Sequence, residues 1–255
     1  MTVRELYAAL NEMIPPSLSC GWDNDGLMCC PDSTREATRV LVALDPTVET
    51  VKHAIEGKYD AVVTHHPLIF KSLKAIDDAN MLALKIMCLL ESNIAVMSFH
   101  TRLDALEGGV NDNFASLLGL SAVEPLEHEG EKIGRIGILP SPMNPEDFAR
   151  KVKEALGAPY VLLGNAGRPV FRVALLGGSG EDELSSAMAA GADTYISGTL
   201  KYHSMTDARE LGINLIEAGH FYTENHVCEV LREMILSIDE NIVCDIASES
   251  NITVI

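Results

Sequence analysis

Short runs of apolar residues alternate with amphipathic helical patterns along the chain. This alternation is typical of an α/β fold with a largely parallel sheet. The apolar runs predict strands at 39–44, 61–64, 94–98, 135–139, 171–176, 194–197 and 213–217. Asn144-Pro145 opens a predicted helix that Gly157 ends, and an apolar stripe predicts another helix from about Thr223 to Ile238.

One pattern of strand, helix, glycine, aspartate and strand occurs twice in the sequence. The interval from Arg39 to Asp60 equals the interval from Arg172 to Asp193. Each copy continues through another helix and strand to a His-x-x-x-acid sequence. This similarity suggests a duplicated βαβ unit. Chance similarity between two ordinary βαβ units is the alternative, because few residues are identical between the copies.

The duplication predicts two α/β repeats, at residues 1–125 and 126–255. The segment 130–145 is rich in glycine and proline, and it is the best candidate for a junction between them. No long linker is visible, so two such repeats would be closely apposed. The crevice between them is then the place to expect a site.

Charge and composition exclude several kinds of partner. A formal net charge of −18 repels nucleic acid and anionic membranes. No apolar run reaches the roughly 20 residues that are needed to cross a bilayer. The six cysteines form no CxxC pair and have no zinc-type spacing, so we interpret them as reduced thiols. These features predict a cytoplasmic protein with neither a nucleic-acid nor a membrane partner.

Histidines and carboxylates follow three of the predicted strands. The carboxyl ends of parallel strands meet at the sheet edge where α/β proteins bind ligands. Nitrogen and oxygen ligands without thiolates suit Zn, Mn, Fe, Co or Ni. These histidines and carboxylates offer more ligands than one ion needs. We therefore predict a pair of divalent ions of the kind that activates water for hydrolysis. The residues are His65, His66, His100, Asp104, His220 and Glu224.

Each of these features taken alone also has an ordinary structural explanation. One histidine of the His65-His66 pair could be packed and hydrogen-bonded while the other is exposed. His100 could be a buried, satisfied histidine. Glu224 would fall in the first turn of the final helix, where a negative charge complements the helix dipole.

Five sequence blocks resemble the signatures of a known family in order and spacing. They are GWDNDGLM (21–28), THHPLIF (64–70), HTRLDALEGGVND (100–112), SGTLKYH (197–203) and EAGHFYTE (217–224). The family is that of the NIF-three-like, or YbgI-type, dinuclear metal proteins, which are also labelled GTP cyclohydrolase I type 2 homologs. The resemblance extends over nearly the whole chain.

The resemblance implies a fold, a site and an assembly. Two intertwined α/β repeats would hold a dinuclear site in the crevice between them, and the chains would form a toroidal homohexamer built as a trimer of dimers. His100 matches a motif position beside the metals, and we treat it as a neighbour of the ligands. The implied ligands of the two ions are His65, His66, Asp104, His220 and Glu224.

The sequence departs from the family pattern at two positions that are not ligands. Thr199 stands where many relatives have aspartate, and Arg102 stands where relatives have a smaller polar residue. Arg102 could grip a phosphate or close a salt bridge with a neighbouring acid. The block GGSGED (177–182) lacks the GK[ST] of a phosphate-binding loop, so we interpret it as a tight turn between strand and helix.

The leading hypothesis for function is a metal-dependent hydrolase acting on a nucleotide or phosphoester. The family label implies GTP, with Lys201, Tyr202 or His203 near its leaving or phosphate groups. His100 and Arg102 are further catalytic candidates. The alternative is a non-enzymatic ring that handles metal or acts as a scaffold, because fold and metals do not specify a substrate.

Overall fold

The computed structural model describes residues 1–247, together with 252 and 255. Helices and strands alternate through the described chain. The helices are α1 (Val3–Met13), α2 (Val48–Glu56), α3 (Met81–Glu91), α4 (Thr101–Ala105), α5 (Val110–Leu117), α6 (Pro145–Leu156), α7 (Leu184–Ala189), α8 (Tyr202–Leu211), α9 (His220–Glu224) and α10 (Val227–Ile238). The strands are β1 (Gly26–Cys29), β2 (Arg39–Ala43), β3 (Ala61–Thr64), β4 (Ala95–Ser98), β5 (Ser121–His128), β6 (Glu131–Met143), β7 (Leu162–Gly164), β8 (Val170–Ser179), β9 (Thr194–Thr199), β10 (Asn214–Glu217) and β11 (Val243–Ala247).

The chain divides into two compact units. Unit 1 comprises residues 1–103 and the returning segment from residue 227, whereas unit 2 comprises residues 104–226. This division differs from the predicted repeats 1–125 and 126–255. The reason is that α10 and β11 belong to unit 1, where β11 pairs in parallel with β2.

The sheet of unit 1 has the strand order β1-β4-β3-β2-β11. All neighbouring pairs are parallel except β1 with β4. Every residue of β3 and β4 is buried, as expected for central strands of a parallel sheet. The apolar core beside this sheet includes Leu41, Val62, Ile86, Leu89 and Val96.

The sheet of unit 2 has the order β5-β6-β8-β9-β10-β7. Strands β8, β9 and β10 pair in parallel, while β5, β6 and β7 pair antiparallel to their neighbours. Strand β8 contributes Val173 and Leu175 to one core and Ala174 and Leu176 to another. Successive strand residues point to opposite faces, so both faces of this sheet are buried.

All seven predicted strands are present, whereas the predicted junction at 130–145 is wrong. Most of that segment is β6, which pairs with both β5 and β8. Its glycines accommodate neighbouring chain segments. A Cβ at Gly134 would lie 3.0 Å from the Leu175 carbonyl oxygen, and one at Gly137 would lie 3.1 Å from that of Ser121. Glycine here reflects close backbone approach rather than a linker.

One hydrogen-bond pattern recurs in the two sheets. The Asp60 carboxylate accepts hydrogen bonds from the backbone N–H groups of Thr38 and Arg39. The Asp193 carboxylate likewise accepts from the backbone N–H groups of the second and third residues of β8, Phe171 and Arg172. Each aspartate directly precedes a central parallel strand. The equal intervals from Arg39 to Asp60 and from Arg172 to Asp193 therefore correspond to the same local hydrogen-bond pattern in the two units.

The described residues also bear on the expectations about membrane-spanning segments and about the cysteines. None of the helices there is both long enough and apolar enough to span a bilayer. No disulfide joins cysteines within residues 1–247, where all six are located.

Candidate metal centre

Three imidazoles lie together in unit 1. His65 and His66 directly follow β3, and His100 follows the adjacent parallel strand β4. Because the two strands are parallel neighbours, their carboxyl ends deliver these side chains to one edge of the sheet. One ring nitrogen from each histidine lies within 4.8 Å of those of the other two.

Each of these imidazoles is held by a hydrogen bond at Nδ1. A backbone carbonyl or an ionised carboxylate can only accept, so Nδ1 carries the proton and Nε2 of the neutral ring bears the lone pair. Metal-ligating histidines are commonly oriented in this way. The contacts are His65 with the Phe99 carbonyl oxygen at 3.0 Å, His66 with Asp45 Oδ1 at 2.7 Å and His100 with Asp23 Oδ1 at 2.9 Å.

Asp23 is the buried partner of His100, with a side chain that is 0% exposed. Its carboxylate also accepts hydrogen bonds from the backbone N–H and the hydroxyl of Thr101. Burial by itself raises the pKa of Asp23, but the hydrogen bonds from His100 and Thr101 outweigh it and hold the pKa well below its ordinary value. Asp23 is therefore an ionised carboxylate that accepts a hydrogen bond from His100 Nδ1 and orients the ring.

A histidine and a glutamate form a close pair in unit 2. Strand β10 leads through Gly219, which has φ +83°, into the short helix α9. One helical turn places His220 Nε2 3.0 Å from Glu224 Oε2. The glutamate side chain is buried, whereas the His220 side chain is 44% exposed. Asp104, also in unit 2, is a second buried carboxylate.

Glycines of β8 and β9 come close to this pair. A Cβ at Gly178 would collide with Oε1 of Glu224 and would lie 3.2 Å from His220 Nε2. A Cβ at Gly198 would lie 2.7 Å from the His220 Cα. Gly177 and Gly178 belong to the GGSGED block, and both lie within β8. Sequence reasoning missed this contact with the metal-ligand candidates, because a glycine has no side chain that suggests a site.

The position of Glu224 differs from the prediction. It does not open the final helix, because α9 ends at Glu224 and α10 begins at Val227. A carboxylate at the C-terminal end of a helix faces the negative end of the helix dipole, which disfavours it. The helix-dipole explanation for Glu224 is therefore wrong.

Arg102 is buried within unit 1. Its side chain is 1% exposed, and Nε donates to Asp25 at 2.9 Å. Nη1 donates to the Asn11 side chain at 2.7 Å and to the Ile14 carbonyl oxygen at 3.1 Å. Of the two roles that the sequence left open, the salt bridge is confirmed, whereas binding of a phosphate stays a prediction.

The KYH motif lies at the surface of unit 2. Lys201 precedes α8, and Tyr202 and His203 occupy its first two positions. All three residues are exposed, with Tyr202 84% exposed, and Thr199 at the end of β9 is exposed as well. No described contact ties these side chains to the candidate ligands.

The chemistry of these side chains fits divalent metal. Buried histidine, aspartate and glutamate side chains are present in groups that could hold an ion. Their donors are imidazole nitrogens and carboxylate oxygens, and within the described residues no cysteine belongs to these groups. That donor set suits Zn, Mn, Fe, Co or Ni.

Comparison with known proteins assigns the family. The profile of the family described as Duf34/NIF3 (NGG1p interacting factor 3) matches residues 1–251. The chain belongs to this family. The five sequence blocks therefore indicated the Duf34/NIF3 family correctly.

Individual relatives of this Duf34/NIF3 chain cover nearly all of it. A GTP cyclohydrolase 1 type 2 homolog of Clostridium perfringens is 32% identical over 230 residues, which is 88% of this chain and 87% of the relative. A hypothetical protein of Staphylococcus aureus has a crystal structure with a TM-score of 0.89 and 28% identity, covering 100% of this chain and 99% of that one. The solved structure of a protein ybgI of unknown function has a TM-score of 0.86 and 26% identity, covering 97% and 98%. The mixed α/β fold with two sheets agrees with these structures.

Proposed function

We propose that this protein binds two divalent metal ions per chain and hydrolyses a nucleotide or phosphoester. The observation that carries the proposal is the set of three imidazoles in unit 1, each with Nδ1 bonded to an acceptor, so that Nε2 is the basic nitrogen of each neutral ring. Packing of one structural histidine does not require two further histidines with the same Nδ1 hydrogen bonding at the same sheet edge.

The proposed ligands come from both of the α/β repeats that the sequence predicts, 1–125 and 126–255. Support comes from each unit by itself: His65 and His66 follow β3 in unit 1, and the His220–Glu224 pair follows β10 in unit 2. Five nitrogen and oxygen donors exceed what one ion requires. The proposed ligand set is His65, His66, Asp104, His220 and Glu224.

When bound, such ions polarise a phosphoryl or carbonyl oxygen and lower the pKa of water. In the proposed reaction, His100 would take the proton of the attacking water at Nε2, and Asp23 would hold the ring through Nδ1–H. This pairing is the arrangement that orients a general base. Lys201 and Tyr202 lie exposed and are proposed to contact the anionic part of the substrate. Arg102 has no part in this scheme, because it is buried against Asn11 and Asp25.

The proposed substrate class is supported by the names of relatives. The Clostridium perfringens relative is called a GTP cyclohydrolase 1 type 2 homolog, and hydrolytic opening of the GTP imidazole ring is the corresponding candidate reaction. For this chain, GTP is one member of the proposed nucleotide class.

We also propose that the protein assembles in the cytoplasm as a homohexamer, a trimer of dimers. Support comes from large apolar side chains at the surface, among them Ile76 and Met81, which are 58% and 60% exposed. Apolar surface of this kind is commonly covered by a partner subunit. Light scattering should give a mass of about six chains, and a stable monomer at micromolar concentration would exclude the ring.

Turnover on a panel of nucleotides and phosphoesters tests the proposed activity. The purified protein should be stripped with EDTA and then reloaded separately with Mn, Zn, Fe or Co. We expect turnover that disappears on stripping, returns with at least one metal and is lost in His66→Ala. A fully loaded protein that turns over no member of the panel would contradict the hydrolase and leave the metal-handling or scaffold ring as the function.

A further inference from the structure

Two exposed aromatic rings border the imidazole cluster of unit 1. Trp22 is 61% exposed and Phe70 is 47% exposed. The ring centroids of Trp22 and Phe70 lie 6.3 and 6.1 Å from that of His100, and each ring meets the imidazole nearly at right angles. The two rings also meet each other edge to face, with centroids 6.3 Å apart. We refer to Trp22 and Phe70 as the aromatic pair.

The aromatic pair is held in place by hydrogen bonds beneath it. Asp23, next to Trp22, is tied to His100 and Thr101. Asp25 accepts from the Ser19 hydroxyl and from Arg102 Nε. The Asn24 side-chain amide donates to the carbonyl oxygen of Ile69, directly before Phe70. The segment that carries Trp22 is therefore tied to the segment that carries Phe70.

The size of this apolar surface favours a small ligand over a protein partner. An aromatic side chain buries ~150–250 Å² when it is fully covered, so the two rings together present roughly 250 Å² at their observed exposure. A stable protein interface buries about 800 Å² on each partner. The surface is about one third of that, which is too small for a stable protein interface by itself.

We infer that Trp22 and Phe70 form a subsite for a planar heteroaromatic ring of the substrate. The inference rests on the proposed function and deepens it, because it selects substrates with a nucleobase-like ring over simple phosphoesters. A ring seated on the aromatic pair would lie next to His100, so the rest of the substrate would extend toward the imidazole cluster. Stacking on fixed aromatic rings is tolerant of which base is bound.

Tryptophan fluorescence provides a direct test, because Trp22 is the only tryptophan in the chain. Guanosine and adenosine are titrated separately into the full-length, metal-free protein, with ribose 5-phosphate as a probe that lacks the ring. We expect a saturable change in Trp22 fluorescence with both nucleosides and none with ribose 5-phosphate. Phe70→Leu should weaken nucleoside binding by about 5- to 100-fold, the usual effect of removing one stacking ring.

A matched control is Phe171→Leu, which makes the same substitution at a 38% exposed phenylalanine of unit 2. This variant should bind both nucleosides as the wild type does. Three results would each overturn the inference: no saturable change with either nucleoside, an equal response to ribose 5-phosphate, or equal effects of the two substitutions. A lower mass for Phe70→Leu in light scattering, without any nucleoside response, would instead make the aromatic pair an interface between subunits.

The test separates this inference from the proposed function. Nucleoside binding is measured without metal and without turnover, so it can succeed while the hydrolase fails. Conversely, turnover of phosphoesters that lack a ring, with no binding of nucleosides, would retain a hydrolase and remove the aromatic subsite.

Discussion

Nδ1 of His65 lies 3.0 Å from the carbonyl oxygen of Phe99. This contact fixes which ring nitrogen carries the proton, and it makes Nε2 the atom able to bind a metal. His66 and His100 have the same arrangement with Asp45 and Asp23 as acceptors. Hydrogen bonds within the fold therefore orient all three imidazoles.

The first prediction separates a ligand from its neighbour. His66→Ala removes a donor atom and should abolish high-affinity metal binding at one or both positions. His100→Ala should only weaken binding, by about 10- to 100-fold, as is usual for groups beside the ligands. Metal content is measured by elemental analysis after equilibrium dialysis. If His100→Ala loses as much metal as His66→Ala while Glu224→Ala stays fully loaded, His100 is a ligand and Glu224 is not.

The second prediction concerns Gly178, which has φ +68°. Gly178→Ala places a Cβ against the Glu224 carboxylate, so we expect this variant to bind metal more weakly. Gly167→Ala is the matched control, because Gly167 has φ +76° but open space around its Cβ position. Both variants should lose about 1–2 kcal/mol of stability from backbone strain, as measured by urea unfolding. Equal metal affinity in the two variants would show that Gly178 does not position Glu224.

The third prediction tests the role of Arg102. Arg102→Leu leaves the Asp25 carboxylate buried without its ion-pair partner, which should lower the free energy of unfolding by about 3–5 kcal/mol. Arg150→Leu removes the exposed Arg150–Asp147 pair and should change stability by less than about 1 kcal/mol. Urea unfolding measures both values. If Arg102→Leu leaves stability unchanged and impairs substrate binding, Arg102 binds a phosphate of the substrate instead.

The fourth prediction is a pH dependence from Asp60. Burial raises the pKa of Asp60, but hydrogen bonds from Arg39 and Thr38 and the charge of Arg35 lower it below its ordinary value. A lowered pKa in the folded state stabilises the protein above the unfolded-state pKa, and this stability is lost as the pH falls through the folded-state value. The stability difference between wild type and Asp60→Asn should therefore be largest above about pH 5 and shrink toward pH 3. Asp78→Asn, which makes the same substitution at an exposed position, is the matched control.

The parts of the fold that the sequence predicted are those with a local apolar signal. The buried runs of β3, β8 and β9 are apolar enough to be recognised, and the Asn144 cap and Gly157 mark α6 correctly. Strand β5 was missed because most of its residues are exposed, so it carries no hydrophobic pattern. Strand β11 was missed because it pairs with β2, and no local pattern encodes a pairing between Val243 and Arg39.

The features of the candidate site likewise divide into those that the sequence predicted and those that it missed. Histidines and acids at strand ends were visible in the sequence because their residue types suggest metal chemistry. Asp23 was missed as the partner of His100, because its burial depends on how the segment before β1 packs against Thr101. The break between α9 and α10 was also missed, since the apolar stripe of α10 hid the end of the preceding helix.

The metal content of the wild-type protein tests the central claim most directly. Protein purified without chelator and saturated with Mn, Zn, Fe or Co should be analysed for metal and for protein concentration in the same sample. Five nitrogen and oxygen ligands in the proposed set predict a plateau at about two ions per chain. A plateau at one ion per chain, or no binding by any of the four metals, would contradict the dinuclear centre.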